Sequence, residues 1–271
     1  MMYMNARMYS VSTRTRAAWK TIFDAVVAQS GVGPMTWLEH EPPLLISDMW
    51  MRNDLGCAMM CGLPASLRNP APTILAAVVP SPMRYNRRPV YMSDLAVRAD
   101  APYRSLEDTF GGVAGTTVPD SQSGYFAFRH RLLEFQHAPQ PLYRKCVGGL
   151  LNARGVIAAL ARGDIDIGPL DGYVHDLLRA TEPDFAQQVR ILESTEPTPI
   201  PPIVSTAALS PDDISALREA FVWAGSAQEL AEARGTLLIH AFSHPSLADY
   251  TALAARAHAV ETAPAPWPEG D

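Results

Sequence analysis

The 271-residue chain has only three cysteines, Cys57, Cys61 and Cys146. So small and odd a number excludes a disulfide framework as the source of its stability. "CAMMC" puts Cys57 and Cys61 close in sequence, but the run is apolar and no Cys or His pair follows at ligand spacing. Buried thiols are therefore expected, with no metal and no other cofactor. Basic charge is also short: 22 Lys and Arg stand against 28 Asp and Glu, a net charge of −6. A nucleic-acid binder needs a basic face, so nucleic acid is excluded as a partner. A small anionic molecule is not, because a pocket sets its own local field. No run approaches the roughly 20 apolar residues of a membrane span, so no membrane insertion is expected. The opening "MMYMNARMYSVSTRTRAAW" is interrupted by Asn5, Arg7, Ser10 and Ser12 and lacks the unbroken apolar segment of an export signal. This predicts a cytoplasmic protein, or a periplasmic one if a leader has been omitted. A Walker-type glycine loop is missing, which argues against nucleotide hydrolysis. A G-x-S-x-G elbow is missing too, which argues against a serine hydrolase.

What is present is a folding composition, 48% apolar, in which strand-like and helix-like patterns alternate. "ARMYSV" (6–11) reads as a strand. "TRAAWKTIFDAVVAQ" (15–29) reads as a helix with Ala18, Trp19, Ile22, Phe23, Val26 and Val27 on one face. "DLGCAMM", "TILAAVV", "YMSDLAVRA", "YRKCVGG", "IDIGPL" and "VRILES" read as further strands with helices among them. This alternation predicts an α/β protein, mostly parallel sheets flanked by helices. The segments 88–98 and 190–204, the latter holding the proline-rich "TEPTPIPPIV", read as crossings between two lobes. Lobe 1 is then residues 1–90 plus 196–262, and lobe 2 is the insertion 91–195. The tail 263–271 is expected to be flexible. A cleft between two such lobes is a usual place for a small ligand.

"TVPDSQSGYF" (117–126) is the most suggestive stretch for function. A strand-like run ends at Val118, a polar turn follows, and a helix begins near Tyr125. A helix start carries unpaired N–H groups and partial positive charge. Ser121 and Ser123 add hydroxyls, and Gly124 lets a ligand approach the backbone. Together they suit a phosphate, phosphonate, sulfonate or carboxylate; an ordinary helix cap fits the same residues equally well. Four further places could serve. Cys61 and Gly62 open a second helix start. Asp171 ends a buried strand, where open α/β sheets present ligand groups. Arg154 lies at a helix start and could pair with an anion. Tyr9 could cover a ligand. The histidines His40, His130, His137, His175, His240, His244 and His258 read as surface or packing residues.

The order of these stretches resembles the type II periplasmic-binding-protein fold, in the branch of phosphate, phosphite and phosphonate substrate-binding proteins of ABC importers. "ARMYSV", "DLGCAMMCGLP", "YMSDLAVRAD", "PDSQSGY", "ARGDIDIGPLDGY" and "TEPTPIPPIV" carry the resemblance, from about residue 5 to 245. It implies a monomeric solute-binding protein with an ABC permease as partner, and a ligand turn of Ser121, Gln122, Ser123, Gly124 and Tyr125. Gln122 stands where the family often has Thr. Asp171 matches the acidic position after Gly163 and Asp166. A second implication is a cytosolic enzyme of the same fold acting on a small carboxylate, as in chorismate-dehydratase-like or thiamin-pathway proteins. No acid–base pair in the sequence supports that alternative, so no catalytic residue is assigned.

Overall fold

The computed structural model describes residues 1–136 and 140–268; His137 and the last three residues of the tail lie outside them. By its internal contacts the chain forms two compact α/β units, 1–90 with 199–250, and 91–198 with 251–271.

The first unit is built on a six-stranded sheet. Its elements are β1 (Met2–Asn5), α1 (Thr13–Ser30), β2 (Met35–Trp37), α2 (Ile46–Trp50), β3 (Leu55–Met59), α3 (Gly62–Leu67) and β4 (Thr73–Pro80). After the second unit they resume with β12 (Pro202–Ser205), α8 (Pro211–Ala224), α9 (Ala231–Thr236) and β13 (Ile239–Ser243). The sheet order is β13-β4-β12-β3-β1-β2. Helix α1 starts on a reciprocal cap between Ser12 and Thr15 and ends at Gly31, whose φ of 68° suits glycine. It buries Ala18, Trp19, Ile22, Phe23 and Val26, while Val27 is only half-buried. Phe23 meets Trp19, Trp37 and Phe221 edge to face.

The second unit holds β6 (Ser93–Arg98), β7 (Val113–Gly115), α4 (Ala127–Leu132), β8 (Lys145–Val147), α5 (Ala153–Arg162) and β9 (Gly168–Asp171). It continues with α6 (Gly172–Thr181), α7 (Pro183–Ala186), β10 (Val189–Ser194) and α10 (Thr251–Thr262). The two-residue strands β5 (Val90–Tyr91) and β11 (Thr198–Pro199) pair with one another. Strands β10, β6 and β9 form an antiparallel sheet; β7 and β8 run parallel, and a parallel bridge from Ala114 to Ile167 ties them to β9. The core of this unit is Leu95, Val97, Leu106, Ala114, Phe128, Leu132, Tyr143 and Ile167.

Four sequence expectations are corrected. The first strand is Met2–Asn5, and Arg7–Tyr9 is a 3₁₀ turn. The sheets are mixed rather than mostly parallel: β12 runs against both β3 and β4, and β13 runs against β4. Strand β12 arrives from an extended proline-rich connector, and only a parallel neighbour demands a long crossover. Proline at its first position, Pro202, leaves the remaining ladder intact. Helix α10 belongs with the second unit, because it packs on the segment 122–132. Finally, the described part of the tail is tied down. The Tyr143 amide donates to the Pro266 carbonyl at 2.9 Å, and Trp267 joins the second core.

Candidate functional site

In the second unit, β7, β8 and β9 run in one direction, so the segments that follow them emerge at the same sheet edge. The turn 117–126 follows β7, the loop 148–152 follows β8, and Asp171 ends β9. Hydrogen bonds knit the first two together. The Thr117 amide donates to the Gly124 carbonyl at 3.0 Å, the Gly149 amide to the Thr117 carbonyl at 2.9 Å, and the Leu150 amide to the Thr116 carbonyl at 3.2 Å.

The turn opens as a π-helical segment, Gln122–Phe126, which runs into α4. Such wide turns recur at functional sites because they displace backbone groups from the regular ladder. Ser121 caps it: its hydroxyl oxygen accepts from the Gly124 amide at 2.9 Å, and its carbonyl accepts from the Phe126 amide at 3.0 Å. The hydroxyl hydrogen of Ser121 can still be donated. Among the described residues, the amides of Gln122 and Ser123 and the hydroxyl of Ser123 make no hydrogen bond. Ser123 is 9% exposed. The hydroxyl of Thr117, only 6% exposed, is buried without a partner among the described residues. It lies against Gly124, where any β-carbon would overlap it. A buried polar group left this way costs about 1–3 kcal/mol. So many donors without acceptors at one helix start fit an oxygen-rich ligand from outside the chain.

Tyr125 is held from behind. Arg129, one helical turn on, donates to its hydroxyl at 3.0 Å, and the Trp267 ring meets it edge to face at 6.4 Å. Gln122 is 2% exposed, and its Oε1 has no partner among the described residues. It lines a pocket of about 100 Å³ with Phe126, His130, Thr198 and Arg256.

The remaining sequence candidates have other occupations. Asp171 caps α6, accepting from the amides of Tyr173 and Val174 at 3.0 Å each. Arg154 forms a two-pronged ion pair with Glu182, at 3.0 and 2.8 Å, and lies over the Phe185 ring. It is thus paired within the protein. In the first unit, Tyr9 is buried at the end of its 3₁₀ turn. The Cys61 side chain packs into the hydrophobic core, and Gly62 opens the six-residue α3 without a side-chain cap. Burial pushes the Cys57 thiol up to about 12, so it stays protonated. Among the described residues no cluster of His, Cys, Asp or Glu is arranged to hold a metal ion. None of their helices is long and apolar enough to cross a membrane.

Two residues escaped the sequence reading: Thr117 and Trp267. Thr117 sits in the quoted stretch, but its role depends on contact with Gly124, and nothing local signals it. His175, read as a surface or packing residue, is buried with its Nδ1 3.4 Å from Asp94, whose other oxygen accepts from the Ser194 hydroxyl at 2.6 Å. Both members of that pair are sealed from solvent.

The family model described as "ABC transporter, phosphonate, periplasmic substrate-binding protein" matches residues 58–250. Curated protein sequences yield no match. Among solved structures, the binding-protein component PA3383 of an ABC phosphonate transporter from Pseudomonas aeruginosa superposes with a TM-score of 0.79 at 18% identity. The overlap spans 96% of this chain and 86% of that one. PhnD1 from Prochlorococcus marinus, solved with methylphosphonate, gives 0.77 at 13% identity over 97% and 98% of the two chains. XAC2383 from Xanthomonas citri, solved with chloride ion, gives 0.70 at 19% identity over 96% and 98%. At these identities the three structures establish the fold, two-lobed α/β, and nothing finer.

Proposed function

This chain belongs to the family of periplasmic substrate-binding proteins of ABC phosphonate transporters, and from that premise we propose that its Ser121–Tyr125 turn grips a small oxyanion, a phosphonate or a carboxylate. The amides of Gln122 and Ser123 and the hydroxyls of Ser121, Ser123 and Thr117 donate to the oxygens. Gly124 keeps the backbone open to them, and Tyr125, braced by Arg129, borders the head group. We place the protein in the periplasm, working as a monomer that delivers its ligand to an ABC permease without changing it chemically.

The observation that carries this reading is the group of donors without acceptors at the carboxyl end of β7. A hydrogen bond to a charged group contributes about 1.5–3 kcal/mol. Ser123→Ala should therefore weaken binding at least tenfold and leave the melting temperature unchanged. Isothermal titration with methylphosphonate, phosphite, inorganic phosphate and small carboxylates measures this directly. An isotherm for any bound member of that series that is the same in both proteins would remove the turn from the site.

A further inference from the structure

Arg129 carries a charge that the fold does not answer. It lies on α4, one turn beyond Tyr125, and only 9% of it is exposed. One guanidinium nitrogen donates to the Tyr125 hydroxyl oxygen at 3.0 Å, and another to the Pro264 carbonyl at 3.4 Å. Its Nε has no partner, and no carboxylate among the described residues pairs with it. Two other arginines of this unit differ: Arg131 is held by Glu193 and Glu134, and Arg154 by Glu182. The Tyr125 and Trp267 rings stand 5.6 and 5.9 Å from the guanidinium carbon. Such contacts return part of the solvation that a buried cation loses, not the whole. Arginine cannot shed the cost by giving up its proton. A buried cation without a carboxylate departs from ordinary packing, and such departures gather at functional sites.

Two observations place this charge within reach of the donor turn. The first is Tyr125, which it bonds and which is itself a member of the turn. The second is Cys146 on β8. Burial raises the Cys146 thiol, while the Thr116 hydroxyl, 3.7 Å from the sulfur, and then the Arg129 guanidinium lower it. Thr116 directly precedes Thr117, whose hydroxyl is buried without a partner among the described residues. The guanidinium thus acts on the ends of β7 and β8, and the turn springs from β7. The donors of the turn itself are all neutral.

We propose that Arg129 is a specificity-determining residue of the site: without touching the ligand, its guanidinium supplies the positive charge that the neutral donors lack, and so makes affinity depend on ligand charge. This rests on the oxyanion reading above and assigns a role to a residue outside the turn. The gain from a fixed charge scales with the charge of the ligand, so a factor gained by a monoanion is squared for a dianion. A mere brace for Tyr125 would change the affinity of both by the same factor.

The test titrates methanesulfonate and methylphosphonate into the wild type, Arg129→Gln, Arg129→Lys and Ser123→Ala by calorimetry. Both ligands are tetrahedral and carry one methyl group. At a pH above the second ionisation of the phosphonate, the first is a monoanion and the second a dianion. Arg129→Gln should weaken methanesulfonate about threefold and methylphosphonate about tenfold, so that their affinity ratio falls about threefold. Arg129→Lys keeps the charge and loses the planar fork, so any loss it causes should be equal for the two ligands. Melting curves check that each variant is folded, and Arg129→Met replaces Arg129→Gln if the latter is not. If methylphosphonate alone binds, its loss in Arg129→Gln with retention in Arg129→Lys is the expected result, and loss in both would overturn the proposal. Equal loss of both anions in Arg129→Gln, no loss at all, or a ratio that falls as far in Arg129→Lys would overturn it too; weakening of both ligands by Ser123→Ala would then leave the oxyanion reading standing. If the wild type binds neither anion, or Ser123→Ala binds them as tightly as the wild type, the oxyanion reading falls and this proposal with it.

Discussion

Gly124 shows how much one missing side chain decides. Its position admits no β-carbon, because Thr117 already occupies that space. The Gly124 carbonyl accepts from Thr117 and its amide donates to Ser121, so its backbone cannot easily retreat. Gly124→Ala should destabilise the protein by about 1–3 kcal/mol, the usual range for overpacking a fitted site. It should also weaken ligand binding, since Thr117 must swing away. Urea unfolding checks the first effect; an unchanged midpoint would mean that Thr117 rotates aside freely. The sequence already marked Gly124 as a point of close approach. What it could not supply is the partner, since Thr117 is seven positions away and meets Gly124 only through the π-helical turn. Asp171 and Arg154 teach the converse. Both residue types suited a ligand, yet one caps its own helix and the other pairs with Glu182.

Among the elements, the segment from Gln122 to Phe135 does the most. Its start forms the donor cluster, and further along His130 faces a pocket shared with Arg131, Glu134, Thr195, Glu196 and Arg256. Burial, and then the Arg256 guanidinium on α10, hold the His130 imidazole below its ordinary range; Glu196 and Glu134 pull the other way. With the folded value depressed, the unfolded chain takes up the proton first as pH falls. The contribution is therefore fully present above the unfolded value of about 6.5 and is lost as pH falls through the lower folded value. The melting temperature should decline over that window, and His130→Gln should flatten that part of the profile. Equal pH profiles in the two proteins would show that other groups govern the window. The helix itself was legible from its apolar spacing. Its π-helical opening was not, because no residue pattern distinguishes that first turn from an α-helical one.

For the whole molecule, the alternation of strands and helices was enough to read an α/β fold, and most strands fall where the apolar runs are. Strand direction was less legible. An apolar run such as "PPIV" says that a strand is buried, but not which way its neighbours point; β12 runs against both. The last helix shows the same gap. Its periodicity requires an apolar face to be covered, and any apolar surface could satisfy that, so it was assigned to the wrong unit. The proline-rich tail looked loose because proline withholds a donor, yet its carbonyls still accept. Pro264 receives Arg129 and Gln136, and Pro266 receives Tyr143.

That anchored tail sets an indole ring against Tyr125, the last residue of the turn proposed to hold the ligand. The protein thereby carries its own fluorophore beside the proposed site, although Trp267 lies more than 140 positions along the chain from it. Saturation with a bound oxyanion should change the tryptophan emission, and Trp267→Phe should abolish the change while the other tryptophans still emit. A steady spectrum at saturation would mean that the occupant never disturbs this aromatic pair.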